Sequence, residues 1–145
     1  MRYNIYCNKK NLTKNHKAAI AEFEKRLGSY CDITLSVTTT LTLPKEITKE
    51  NHHILFLCDG PSTYSSDEFA RYLQKLHLKG TSNFHILIGF SEPEGYDAVW
   101  SISKEVTPDR LSLSQSTLST ETATLLFYEQ LYRAYTILQG KTYHK

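Results

Sequence analysis

Two short stretches decide the fold: HILFLC at residues 53–58 and FHILIG at residues 84–89. Apolar side chains occupy successive positions in both, so each face of the chain is suited to burial. Strands of this kind lie at the centre of a parallel sheet, where helices cover both faces. Between them, Ser65 and Glu68 form a capping box that opens a helical pattern ending near Gly80. The two stretches therefore predict a strand-helix-strand unit.

The same alternation precedes this unit. RYNIYC at residues 2–7 has the pattern of a strand, and the apolar residues after it recur at helical spacing. Thr13 is the expected N-cap of that helix, and Gly28 follows its end. DITLSVT at residues 32–38 alternates apolar and polar side chains, which predicts a further strand.

The remainder of the chain is more polar. SEPEGYDAVW at residues 91–100 is predicted to be a loop, and SLSQSTL at residues 112–118 a short strand with a polar turn. Ser119 or Thr120 is expected to cap a final helix that runs to about Gln139. The fold class is therefore α/β, with a parallel sheet and helices on both faces.

Length and composition limit this fold to one domain over residues 1–145, because 145 residues with 40% hydrophobic content bury a single core. No apolar run approaches the roughly 20 residues of a membrane span, and the start lacks a signal-peptide pattern, so a cytosolic protein is expected. Cys7, Cys31 and Cys58 lack CxxC spacing and are expected to be reduced core thiols. No metal site is predicted.

Charge is unevenly distributed. Residues 1–27 contain seven lysines and arginines against two glutamates, whereas residues 90–110 contain five acids against two bases. A basic face can contact phosphate groups, since such contacts depend on local charge. A solvated helix face is the alternative interpretation.

Ligands of parallel α/β sheets bind beyond the carboxyl ends of the strands. Three segments are candidates here: the turn after Leu57, the turn at Gly89, and residues 112–118. None is a phosphate-binding loop, because the chain contains neither GxGxxG nor GxxxxGK[ST]. Composition and periodicity predict a site at the strand ends without identifying its ligand.

Three stretches resemble a known family: AIAEFEKRLGSY at residues 19–30, the segment from ILFL through SSDEFARYLQ to FHILIG at residues 54–89, and EQLYRAYTILQGKTYHK at residues 129–145. In this order they resemble the SPOUT-class 23S rRNA pseudouridine N3-methyltransferases, the RlmH type, over nearly the whole chain. The last stretch is the most specific, because it combines an LYRA core, a later glycine and a final Tyr-His-basic triplet.

The resemblance implies a fold, a cofactor and an assembly. Such proteins tie their carboxyl-terminal half into a deep trefoil knot, bind S-adenosylmethionine in the knotted loops and work as homodimers on the ribosome. The positions that match the family's cofactor site lie in the three strand-end segments. They are Leu57, Gly89, Leu113, Ser114, Gln115, Ser116, Thr117 and Leu118.

The same resemblance gives roles to the end of the sequence. Tyr143 and His144 are implied as catalytic residues, and a neutral His144 can in principle accept the N3 proton of the base. Lys145, Lys141 and Arg133 are implied as contacts to 23S rRNA, although a structural role for Arg133 at the dimer contact is an equal alternative.

Several positions depart from the family pattern. Phe90 stands where a second glycine is usual, Ser119 and Thr120 replace a Pro-His pair, and Thr124 replaces an arginine. The turn after Leu57 contains Cys58 and Pro61 in place of an acid and a glycine, and the segment after residue 90 is longer and acidic. Two hypotheses follow: an active methyltransferase that uses other contacts, such as Arg110, Lys104 or the tail, or an inactive relative that serves as a binding or scaffold protein.

Overall fold

The computed structural model of the chain describes residues 1–143. Strands and helices alternate along this part of the chain. In order they are β1 Arg2–Cys7, α1 Lys14–Leu27, β2 Asp32–Val37, a 3-10 helix Lys45–Thr48, β3 His52–Leu57, α2 Ser66–Leu78, β4 Asn83–Ile88, α3 Glu92–Trp100, β5 Asp109–Leu111 and α4 Thr120–Leu138.

The strands form one parallel sheet in the order β2-β1-β4-β3-β5. The two decisive apolar stretches become β3 and β4, which lie side by side within the sheet. Because the strands are parallel, their carboxyl ends meet at one edge, where Ile88 pairs with both Cys7 and Leu57, and Leu57 pairs with Leu111. This edge is where the predicted ligand segments leave the sheet.

Helices cover both faces of the sheet, as predicted. The larger core lies beneath α1, α2 and α4 and includes Ile20, Phe69 and Phe127. A smaller core on the other face includes Ile47 of the 3-10 helix and Val99 of α3. The parallel α/β architecture is therefore confirmed for residues 1–143.

The prediction of a loop at residues 91–100 was wrong, because residues 92–100 form α3. Ser91 and Glu94 form a capping box at its start, and Pro93 lies in the first turn, where a missing N–H costs no helical hydrogen bond. Gly95 packs against the ring of Phe56. Pro93 and Gly95 are therefore part of a helix, although proline and glycine usually indicate a loop.

The prediction of a strand within residues 112–118 was also wrong. The strand is β5, which ends at Leu111, and the following residues form a loop. In that loop the Ser112 hydroxyl donates to the Ser114 carbonyl at 3.1 Å, and the Ser116 backbone N–H donates to Ser114 Oγ at 3.0 Å. Such local bonds compete with a sheet ladder, which explains why serine-rich sequence stays irregular here.

Candidate functional site

A cavity of about 450 Å³ lies at the carboxyl edge of the sheet. The ends of β3 and β4 form its floor, and the starts of α3 and α4 form its sides. Its lining residues are Leu57, Cys58, Asp59, Ile88, Gly89, Phe90, Ser91, Glu94, Leu118, Thr120 and Ala123. An adjoining pocket extends it toward Leu113, Ser114 and Leu126.

The structure brings together most of the predicted cofactor residues. Leu57, Gly89 and Leu118 line the cavity itself, while Leu113 and Ser114 line its extension. The intervening residues 115–117 are exposed and line neither space. Of these, Gln115 is directed elsewhere, since its Nε2 donates to the Pro61 carbonyl at 3.4 Å.

Gly89 adopts a backbone conformation that favours glycine. Its φ of +82° lies in the left-handed region, and it ends β4 at the cavity. The carbonyl oxygen of Gly89 accepts a hydrogen bond of 2.9 Å from Asn8 Nδ2. The end of β1 therefore holds the end of β4 in place at the cavity wall.

The cavity combines apolar walls with negative charge. Leucine, isoleucine and alanine side chains supply the apolar part, and Asp59 and Glu94 supply two carboxylates. Arg110 forms an ion pair of 2.6 Å with Glu92 and lines a neighbouring cavity of about 390 Å³. The main cavity is therefore suited to a ligand with an apolar or aromatic part and a positive group.

The positions that depart from the family pattern have structural roles here. Ser119 is the N-cap of α4, and its hydroxyl accepts from the Thr122 backbone N–H. Thr124 is fully buried and donates to the Thr120 carbonyl at 2.8 Å. Phe90 lines the cavity and also packs on the smaller core. These residues stabilise the cavity without adding basic groups to it.

Tyr143 packs against α4 and does not line the cavity. The hydroxyl of Tyr143 donates to Glu129 Oε1 at 3.1 Å, and its ring packs against Tyr132 with 4.8 Å between centroids. Burial, followed by the charge of Glu129, raises the pKa of Tyr143. Glu129 lies six residues beyond Ala123 on α4, or about 9 Å along the helix at 1.5 Å per residue.

Two residues predicted to contact RNA, Arg133 and Lys141, have partners within the chain. Arg133 forms an ion pair of 2.6 Å with Glu129, which raises the pKa of the guanidinium, and its Cζ lies 4.9 Å from the Tyr143 ring centroid. The ammonium of Lys141 donates to the Tyr30 hydroxyl at 2.6 Å. His144 and Lys145 lie outside the described residues. Within one chain, none of Tyr143, Arg133 and Lys141 lines the cavity or its extension.

Sequence reasoning missed three polar residues at the cavity. Asn8 directly follows a predicted strand, and its position at the carboxyl edge was the available signal. Ser91 and Glu94 stand three residues apart, which is the spacing of a capping box. Cys58, expected in the core, is half-buried at the cavity wall, whereas Cys7 and Cys31 are buried as predicted.

No helix within residues 1–143 has the combined length and apolarity needed to cross a bilayer. Across the same residues, histidine, cysteine and acidic side chains form no group of three or more that is arranged to hold a metal ion.

The parallel sheet with a cavity at its carboxyl edge is accompanied by full-length sequence similarity to a class of methyltransferases. A family model described as "Predicted SPOUT methyltransferase" matches residues 1–144, and the chain belongs to this family.

Several individual proteins with closely related names are similar to this chain. The chain is 31% identical over 146 residues to "Ribosomal RNA large subunit methyltransferase H 1" of Thermoanaerobacter sp., with all of both chains covered. It is 33% identical over 126 residues to "Ribosomal RNA large subunit methyltransferase H" of Coprothermobacter proteolyticus, covering 87% of this chain and 86% of that protein. It is 30% identical over 167 residues to the protein of that name in Clostridium novyi, again over all of both chains.

Proposed function

We propose that the protein is an S-adenosylmethionine-dependent methyltransferase that modifies N3 of a pseudouridine in 23S rRNA of the assembled ribosome. The observation that carries this proposal is the cavity at the carboxyl edge of the sheet, which gathers Leu57, Gly89 and Leu118 in a chain similar over its full length to rRNA methyltransferases. On this proposal the protein works in the cytoplasm, beside ribosomes.

The chemistry of the cavity supports this cofactor. S-adenosylmethionine supplies a methyl group on a positively charged sulfonium. The leucines at residues 57, 113 and 118 provide apolar surface for the adenine ring, and the carboxylates of Asp59 and Glu94 provide opposite charge for the sulfonium or the ammonium. The positive φ of Gly89 turns the chain out of β4 at the cavity wall, where Thr120 also lies.

The proposal includes the deep trefoil knot. Two hydrogen bonds support it by joining the turn after β3 to the segment that leads into α4. The Cys58 backbone N–H donates to the Leu111 carbonyl at 2.9 Å, and the Tyr64 backbone N–H donates to the Ser112 carbonyl at 2.9 Å. These contacts hold together the loops through which the chain is proposed to thread.

The proposal also includes a homodimer in which the tail of one subunit completes the cavity of the other. Tyr143 contacts Glu129 of its own chain and lines neither the cavity nor its extension. A second copy related by a two-fold axis presents the same tail from outside. In such a dimer, His144 accepts the N3 proton, and Tyr143 positions the base.

The basic residues of the tail then serve the RNA. Lys145 and Lys141 contact phosphate groups, and Arg133 supports Tyr143 through the contact of its guanidinium with the ring. Aligned donor and acceptor atoms are the main requirement of methyl transfer, so the chief task of these residues is positioning.

Calorimetric titration with S-adenosylhomocysteine tests the cofactor part of this proposal. We expect binding in the micromolar range by the unchanged chain and loss of binding by Gly89→Trp. Gly80→Trp controls for the strain of a positive φ, which is +97° at Gly80, and circular dichroism shows whether Gly89→Trp still folds beside Thr120. Absence of heat at millimolar ligand, or equal weakening by both variants, would contradict the proposed cavity.

A further inference from the structure

Four lysines lie at the same edge of the sheet as the cofactor cavity. Lys9 and Lys10 directly follow the carboxyl end of β1, and Lys14 and Lys17 lie in the first turn of α1. Lys9 is partly buried and the other three are exposed. Throughout residues 1–143, no acidic side chain forms an ion pair with any of them. We refer to these four residues as the lysine segment.

Two hydrogen bonds hold the lysine segment beside the cavity. Asn8 Nδ2 donates to the carbonyl of Gly89 at 2.9 Å, and the Thr13 backbone N–H donates to Glu121 Oε1 at 3.1 Å. Gly89 lines the cavity, and Glu121 directly follows Thr120, which lines it as well. The backbone that contains Lys9 and Lys10 is therefore fixed to the cavity wall at residues 8 and 13.

The opposite side of the cavity has the opposite charge. Asp59 and Glu94 line the cavity, and Glu92 begins α3 in an ion pair with Arg110. A polyanion that approaches from α3 meets repulsion, whereas one that approaches from β1 meets the lysine segment. The charge distribution therefore favours an RNA strand that approaches the cavity from the side of β1.

Lys14 and Lys17 are expected to destabilise α1, since positive charges in the first turn are repelled by the positive end of the helix dipole. That turn contains no acidic residue. A small cavity of about 160 Å³ lies beside it, and its lining includes both Lys10 and Lys17. An anion in this position would relieve the repulsion between the lysines and the helix end.

We propose that the lysine segment binds the phosphate backbone of the RNA substrate, which reaches the cavity from the side of β1. This inference rests on the proposed function and adds to it the surface on which the RNA lies. The two carboxylates on the α3 side then face the cofactor, while the lysines face the RNA.

The test replaces all four lysines by glutamine and measures binding to purified 70S ribosomes across 50–200 mM potassium chloride at fixed magnesium. Each phosphate contact with single-stranded RNA contributes roughly 0.7 to the steepness of log affinity against log salt, so losing four contacts should make the slope shallower by about 3. We also expect at least a tenfold loss of affinity at the lowest salt. The matched control removes the same charge from exposed sites elsewhere: Lys45→Gln, Lys49→Gln, Lys75→Gln and Lys79→Gln.

We expect the control variant to bind ribosomes like the unchanged chain, and both variants to bind S-adenosylhomocysteine normally. Should the fourfold variant lose that binding, the pairs Lys9→Gln/Lys10→Gln and Lys14→Gln/Lys17→Gln repeat the test, each with about half the change in slope. Equal effects of the fourfold and control variants, or an unchanged slope, would overturn the inference. If the unchanged chain binds ribosomes through these lysines but not S-adenosylhomocysteine, the proposed function fails while this RNA surface stands.

Discussion

The side chain of Thr120 occupies the space beside Gly89 into which a Cβ would project. A Cβ built on Gly89 would lie 2.5 Å from both Cγ2 and Oγ1 of Thr120. The start of α4 is thereby packed against the end of β4 at the cavity. Gly89 is therefore required for two separate reasons, its positive φ and this close contact.

Replacing Gly89 by alanine should lower the free energy of unfolding by about 2–4 kcal/mol, because conformational strain and overpacking add together. Chemical denaturation measures this loss. Gly80→Ala isolates the cost of the positive φ, since nothing lies within 4 Å of its Cβ position. We expect it to cost about 1–2 kcal/mol. Equal costs for the two variants would show that Thr120 does not restrict residue 89.

Replacing Gly95 by alanine should destabilise the protein, although alanine is the better helix former by about 1 kcal/mol. A Cβ on Gly95 would lie 1.9 Å from Cε1 of the buried Phe56. We expect a net loss of about 1–3 kcal/mol in the free energy of unfolding, measured in urea. Combining it with Phe56→Leu should reduce the added cost of Gly95→Ala, and a stabilised Gly95→Ala variant would contradict this packing.

The two central strands illustrate what sequence can predict here. Residues 54–57 and 86–88 are apolar on both faces, and their short length and the turn signals around them favour buried parallel strands. Residues 91–100 behave differently, because their helix depends on Gly95 fitting beneath a ring that is 39 positions away in the chain. That requirement is invisible in a local pattern.

Some features of the candidate site could likewise be predicted from the sequence, and others could not. Gly89 and Leu57 were predictable because parallel strands end at one edge of a sheet. The role of Asn8 depends on a partner 81 residues away, and the separation of Tyr143 from the cavity depends on the direction of α4. Pairings of this kind arise from tertiary packing, which composition and spacing do not encode.

Stability should fall in mild acid because of a buried histidine. Burial, followed by the charge of His52, lowers the pKa of His85 to about 4. The unfolded chain, with a histidine pKa of about 6.5, binds more protons between these values. His85 therefore contributes its full stabilisation above about pH 6.5, and this contribution is lost as the pH falls toward 4.

The expected loss from His85 is about 3 kcal/mol at pH 4, from 1.36 kcal/mol per unit of pKa. Urea unfolding of the unchanged chain and of His85→Gln, measured between pH 7.5 and 4.5, tests this loss. Glutamine suits the comparison because its amide can retain a hydrogen bond to His52 Nδ1, which lies 3.0 Å from His85 Nε2. The variant should have a flatter profile. Parallel profiles for the two proteins would show that His85 is not the titrating group.

Asp109 should influence cofactor binding from outside the cavity. Its Oδ2 accepts hydrogen bonds of 2.9 Å from the Tyr72 hydroxyl and from His53 Nε2, and it begins the three-residue strand β5. The predicted cofactor loop follows that strand. We expect Asp109→Ala to cost about 1 kcal/mol of stability and to weaken S-adenosylhomocysteine binding several-fold in calorimetric titration.

Glu105→Ala is the matched control for Asp109, because it removes the same charge from an exposed side chain near β5. It should leave both stability and binding unchanged. If the two variants bind S-adenosylhomocysteine equally well, β5 does not depend on Asp109 for its position.

The most direct test of the central claim is methyl transfer from labelled S-adenosylmethionine to 70S ribosomes whose 23S rRNA lacks N3-methylated pseudouridine, followed by mass spectrometry of the nucleosides. The proposed function predicts incorporation of label as N3-methylpseudouridine by the unchanged chain, with a loss of at least tenfold in rate for His144→Ala. Binding of S-adenosylhomocysteine without any methyl transfer would contradict the claim and would favour a binding or scaffold protein instead.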